Sequence, residues 1–138
     1  MRISATVRNA PGHHEVTVTT EDSTTCLDIG ARAQGRGSAV NGGELLATAL
    51  ATCFVNDLYR EAAQRDLVVG AVRVTVVSEF GGPGDPARSI RYSVHVESPE
   101  DPEAIAELVR VTDGLAEVHN TLRSGAAVEL TDVRTGSR

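Results

Sequence analysis

Apolar positions along the chain recur with two periods, and the change from one to the other divides the sequence into elements. Ala71 to Phe80 places Val72, Val74, Val76 and Ser78 on one face and Arg73, Thr75, Val77 and Glu79 on the other. Ser89 to Glu97 sets Ile90, Tyr92, Val94 and Val96 against Arg91, Ser93, His95 and Glu97. Both stretches therefore predict strands, paired as an antiparallel hairpin across the Gly/Pro-rich loop Gly81 to Pro86, with one wet face. Ile3 to Arg8 and Glu15 to Thr20 alternate in the same way around Asn9-Ala10-Pro11-Gly12, and Thr24 to Ile29 predicts a third short strand.

From Asn41 to Leu67 the period is helical. After Asn-Gly-Gly the chain runs without Gly or Pro, with Leu46, Leu50, Cys53, Phe54 and Asp57 on one stripe, which predicts one long helix. Its first half is apolar or small on nearly every side, whereas Asp57, Tyr59, Arg60 and Glu61 predict an exposed face. Ser98 to Glu103 marks a second helix start, with Ile105, Leu108, Val109, Thr112 and Leu115/Ala116 as its stripe. Val118 to Arg123 predicts a short helical turn, and Ala127 to Val133 a closing strand. Helices and strands do not alternate strictly, so the expected class is α+β, with antiparallel β-sheets around a long central helix in a single domain, 1–138. A helix apolar on several sides in so small a chain needs more cover than one copy supplies, and a homodimer is the natural remedy.

Composition narrows the partners. A formal charge of -6 opposes nucleic acid or an anionic membrane surface, both of which call for basic residues. With 3% aromatic residues and no Trp, base stacking is not a theme, and a small apolar ligand is the better expectation. No apolar run reaches the ~18 residues of a membrane span, and the first residues lack the apolar block of a signal peptide. A cytoplasmic location follows as an expectation. There the two cysteines, Cys26 and Cys53, are thiols rather than a structural disulfide. No metal-ligand spacing is present, so neither a metal nor another cofactor is expected.

The stretch Gly42-Gly43-Glu44-Leu45-Leu46 to Ala51-Thr52-Cys53-Phe54 resembles the helix of the OsmC/Ohr family, thiol-dependent hydroperoxide reductases in which a Pro-Glu-x-Leu entry leads to a helix carrying the reactive cysteine. The resemblance extends over nearly the whole chain. It implies an intertwined homodimer, active sites at the subunit interface, organic hydroperoxide as substrate and a dithiol or lipoyl-type reductant. Carried over, Cys53 matches the peroxidatic cysteine, Glu44 the helix-entry glutamate, and Arg8 the arginine set against the thiolate. That chemistry is sound: only a thiolate attacks a peroxide O–O bond, a nearby guanidinium favours the thiolate, and a glutamate can hold the guanidinium.

The family's second cysteine, in a Cys-Pro-x-Ser-Asn type sequence, has no counterpart. Ala116 stands at its expected register in Ala116-Glu117-Val118-His119-Asn120. Two functions stay open: a peroxide reductase with a single reactive cysteine and an external reductant, or a non-enzymatic small-molecule binding or accessory protein that has lost the two-cysteine cycle. Cys53 itself reads either as a reactive thiol or as a small buried hydrophobe, and Cys26 as packing. His119 and Asn120 are auxiliary candidates: the imidazole as proton donor or as hydrogen-bonded turn residue, the amide as pocket or cap residue. Glu44 reads equally as a first-turn acid favoured by the helix dipole.

Overall fold

The computed structural model describes residues 1–136 and resolves into two compact units, one of residues 1–46 and one from Ala47 onward. In the first, β1 (Ile3–Ala10), β2 (His13–Thr20) and β3 (Ser23–Leu27) form an antiparallel sheet in the order β1-β2-β3. Gly12, at φ 70°, makes the tight β1–β2 turn, a backbone conformation that a side chain would strain. β3 stops short of the expected Ile29, and all five of its residues are exposed, Cys26 among them. The expectation that Cys26 is packed is thus overturned: it lies on a strand paired only along its β2 side.

Helix α1 (Gly42–Gln64) starts in this unit and runs through the second. Its first turn is closed by reciprocal bonds between Asn41 and Glu44. The Glu44 N–H donates to Asn41 Oδ1 at 2.8 Å, and the Asn41 N–H donates to Glu44 Oε1 at 3.2 Å. This capping box satisfies two amides that a helix start leaves without partners.

The second unit holds the hydrophobic core. Phe54, Leu58, Ala62 and Leu108 are its fully buried members, and Val72, Val74, Tyr92, Val94, Val96, Ile105 and Val109 pack against them. These are the apolar faces of the hairpin β4 (Val72–Phe80) and β5 (Ala87–Val96), of α1, and of α2 (Pro102–Leu115), as the two periods require. Asp101 caps α2 by accepting the Glu103 N–H at 2.8 Å, with Pro102 in the first turn. α3 (Glu117–Ser124) follows after Ala116 and ends on Gly125, whose left-handed φ of 65° closes the helix.

Two expectations fail in this unit. Ala127 to Val133 is not a strand; residues 126–136 carry no regular structure and lie exposed, with Val128 at 98% and Leu130 at 85%. Its alternation is intact, but among the described residues no strand pairs with it, and an extended segment without a ladder partner has no reason to stay a strand. Asp57 and Glu61, expected on a wet face, are buried, only 4% and 6% exposed. Both are carried inward by the turn that buries Leu58 and are compensated by Arg60 and Arg65. The observed class remains α+β with antiparallel sheets. Among the described residues no helix is long and apolar enough to cross a membrane.

Candidate functional site

Cys53 sits on α1 one residue before Phe54, the most deeply buried ring of the second unit, so its own side chain falls at the edge of the core and is half-buried. One turn on, Asp57 lies on the same face, as i,i+4 spacing requires. The Cys53 thiol donates to Asp57 Oδ2 at 3.6 Å and approaches Glu117 Oε2 at 3.9 Å. Glu117 and Val118 form the first turn of α3, and the Val118 N–H donates to the sulfur. Cys53 is therefore not surrounded by aliphatic carbon, as its sequence neighbours suggest. It faces two carboxyl groups and a helix N-terminus.

The electrostatics follow from that geometry. Burial pushes the Cys53 thiol up, and the carboxylates of Asp57 and Glu117 add to it, against the Val118 N–H and the positive end of α3. Burial, then the neighbouring Glu117 charge, also raises Asp57, even though Arg60 Nη1 stands 3.0 Å from Asp57 Oδ1. Glu117 is held below the usual carboxylate range by its own backbone N–H and by the hydrogen bond from Asp57. The two adjacent carboxyl groups are thus pushed apart, Asp57 upward and Glu117 downward. The sulfur and the two carboxylate oxygens lie within 4.8 Å of one another, so the same three residues could offer ligand atoms to a cation, a set that no spacing in the sequence suggested.

A second cluster surrounds His119, on the next turn of α3. It is 4% exposed, its ring lies 4.8 Å from the Tyr92 ring and 6.1 Å from the Phe54 ring, and neither nitrogen has a hydrogen-bond partner among the described residues. The hydrogen-bonded turn residue considered from the sequence is thereby excluded. Burial and the nearby Arg123 hold its pKa below the ordinary value. Tyr92 donates its hydroxyl to Asp113, which also receives Arg123 Nη2 at 2.7 Å. Burial works against the Asp113 carboxylate, but the hydrogen bonds from Tyr92 and Arg123 prevail and lower its pKa. Asn120 donates to the Gly114 carbonyl at 3.0 Å and accepts from Arg123 at 3.3 Å, so its amide ties α3 back to the end of α2.

The residues matched to the family are divided between the units. Arg8 is an exposed residue of β1, opposite Glu15 in the ladder, and Glu44 closes the α1 capping box. Both belong to the first unit, while Cys53, His119 and Asn120 belong to the second. Ala116, at the register of the missing cysteine, is fully buried where α2 gives way to α3. Sequence reasoning missed Asp57 and Glu117 as neighbours of the thiol. The first was legible as i+4 from Cys53; the second comes from α3 and had no local signal.

Comparison with known proteins bears on the family and the fold. The family model described as OsmC-like protein matches residues 35–131. No curated protein matches the sequence. Among solved structures, an OsmC-like protein from Mycoplasma pneumoniae superposes with a TM-score of 0.64 at 16% identity, covering 88% of this chain and 89% of that one. An organic hydroperoxide resistance protein from Elizabethkingia anophelis, with thiocyanate bound, gives 0.62 at 15% identity over 91% and 90% of the two chains. An organic hydroperoxide resistance protein OsmC from Legionella pneumophila gives 0.57 at 19% identity over 89% and 90%.

Proposed function

Because the chain belongs to the OsmC-like family, we propose that it is a thiol-dependent hydroperoxide reductase of oxidative stress defence, cytoplasmic, with Cys53 as its single reactive cysteine. The observation that carries this reading is the constellation at the sulfur: a half-buried thiol, a helix N–H on it, and two carboxyl groups within 4.8 Å.

The pair supplies what a raised thiol lacks. The Cys53 Sγ–H proton passes to the Asp57 carboxylate it already faces, and the thiolate attacks the terminal peroxide oxygen as the O–O bond breaks. The departing alkoxide takes that same proton from Asp57 and leaves as an alcohol. In sum, Cys–SH and R–O–OH become Cys–SOH and R–OH. With Ala116 at the register of the second cysteine, two equivalents of an external thiol, or one dithiol of lipoyl type, convert the sulfenic acid back to the thiol, releasing water and a disulfide.

Arg8 and Glu44 enter this reading as the cation and its holder in an assembled homodimer. The dimer is supported by the apolar side chains that one copy leaves exposed, Ile3, Val7, Val128, Leu130 and Val133 among them. Light scattering behind a sizing column then reads two copies per particle.

One observation favours the alternative of a small-molecule binding or accessory protein: the charged side chains against Cys53 in its own unit are acids, which oppose the thiolate. Peroxide consumption with a dithiol reductant separates the two. The reductase reading expects turnover in wild type and in Cys26→Ser, and none in Cys53→Ser. Equal, slow consumption by all three leaves the binding reading in its place.

A further inference from the structure

Helix α3 brings Glu117 and Val118 to the Cys53 sulfur, yet little of α3 is held by packing. It is 8 residues long, under the ~12–15 at which an isolated helix becomes stable in water, and His119 is its buried residue. Its link to α2 is Ala116 alone, extended at ψ 113°. The direction of its first turn is therefore set by whatever fixes its far end.

That end is tied by a polar clasp. Arg123 Nη1 donates to the Asp113 carbonyl at 3.0 Å and to Asn120 Oδ1 at 3.3 Å, and Arg123 Nη2 donates to Asp113 Oδ1 at 2.7 Å. Asn120 Nδ2 donates to the Gly114 carbonyl at 3.0 Å. Both carbonyls belong to the last turn of α2, where a helix leaves its C=O groups open, so side chains of α3 cap the helix before it. The Asp113 carboxylate also receives the Tyr92 hydroxyl, and Tyr92 packs on the core, so the clasp is anchored to β5 as well.

The clasp lies at the surface, with the Arg123 and Asp113 side chains 49% and 41% exposed. An ion pair so exposed adds little to stability, whereas several bonds from one planar guanidinium fix a direction. We propose that Arg123 is a positioning residue for the thiol site: through Asp113 and Asn120 it orients α3 so that Glu117 and Val118 meet the Cys53 sulfur. The catalytic meaning of this placement rests on Cys53 being the reactive thiol of a hydroperoxide reductase, while the placement itself is measured without peroxide.

The test compares amide spectra of the isotope-labelled full-length protein with and without Cys53→Ser, in wild type and in Arg123→Ala, alongside hydroperoxide consumption with a dithiol. In wild type, Cys53→Ser changes the acceptor of the Val118 N–H and moves its resonance. In Arg123→Ala that response is lost, and hydroperoxide reduction by the variant with Cys53 intact is at least about tenfold slower than wild type. Arg123→Lys keeps the charge without the fork and behaves as Arg123→Ala does, whereas Arg110→Ala, which breaks an equally exposed ion pair of α2 with Glu107, behaves as wild type. If Arg123→Ala does not fold, Asn120→Ala, which drops two of the bonds and keeps the ion pair, decides by the same comparison. The proposal is overturned if the Val118 response is absent in wild type or persists in full in the clasp variants, if Arg123→Lys restores it, or if the response is lost with no change in rate. A wild-type protein that consumes no hydroperoxide sinks the reductase reading instead, and the Val118 comparison still decides whether Arg123 places α3.

Discussion

Replacing Asp57 with Asn tests the carboxyl pair with little change of shape. Asn keeps an oxygen to accept from Arg60 Nη1 but has no proton to give away and no charge to set against the sulfur. Arg60 is half-exposed, at 47% for its side chain, so water can take up the guanidinium when the ion pair is lost and the fold survives. Two reactivities of Cys53 then move in opposite directions. Asp57 helps to hold the thiol up, so its neutralisation lets the thiol ionise at lower pH, and alkylation by iodoacetamide near neutral pH speeds up. Peroxide reduction needs a proton delivered to the leaving oxygen as well as a thiolate. A carboxyl within 3.6 Å of the sulfur is in reach of that oxygen, and a positioned acid or base contributes typically ~10²- to 10⁴-fold. The variant should therefore reduce hydroperoxide at least ~10²-fold more slowly while alkylating faster. Both rates are measured under pseudo-first-order conditions on the same preparation. If they rise together, Asp57 only suppresses the thiolate and the proton relay is wrong.

Other consequences concern the frame of the site. Phe54→Ala removes a fully buried ring packed on Tyr92 at 5.3 Å and should cost about 3–5 kcal/mol in urea unfolding, whereas Phe80→Ala, 47% exposed, should cost well under half of that. His119 has a depressed native pKa, so its share of stability is fully present above the ordinary histidine value of about 6.5 and is lost as pH falls toward the native one. Unfolding curves between those limits should show the loss in wild type, with a smaller one in His119→Leu. Asn41→Ala breaks one arm of the capping box and should lower stability by about 1 kcal/mol in the same assay, with Asn41→Ser restoring most of it.

Much of the frame could be read from periodicity alone. The valines of β4 and β5 alternate, the α2 stripe of Leu108 and Thr112 is buried as spaced, and the Asn-Gly-Gly-Glu start of α1 is a capping box whose two partners stand three residues apart. What misled was context carried by other elements. The Asp57 to Glu61 run looks solvated because charge patterning cannot show α3 arriving at Cys53, nor Arg60 and Arg65 folding back over their own acids. The Val128, Leu130 and Val133 alternation has the strand period without a ladder partner among the described residues, and period alone does not supply one. At the site, Cys53 was legible as the residue to watch, while its environment was not. Glu117 is 64 residues away in sequence, and the unpartnered nitrogens of His119 are a property of packing that no motif records.

The account turns on Cys53 being oxidised by a hydroperoxide, and the most direct measurement is mass spectrometry of the protein exposed to cumene hydroperoxide in the presence of dimedone, which traps sulfenic acid. The dimedone adduct should appear on Cys53 within the time that peroxide is consumed, and the exposed Cys26 should remain unlabelled. An adduct found on Cys26 first, or peroxide consumed with Cys53 still a free thiol, would contradict it.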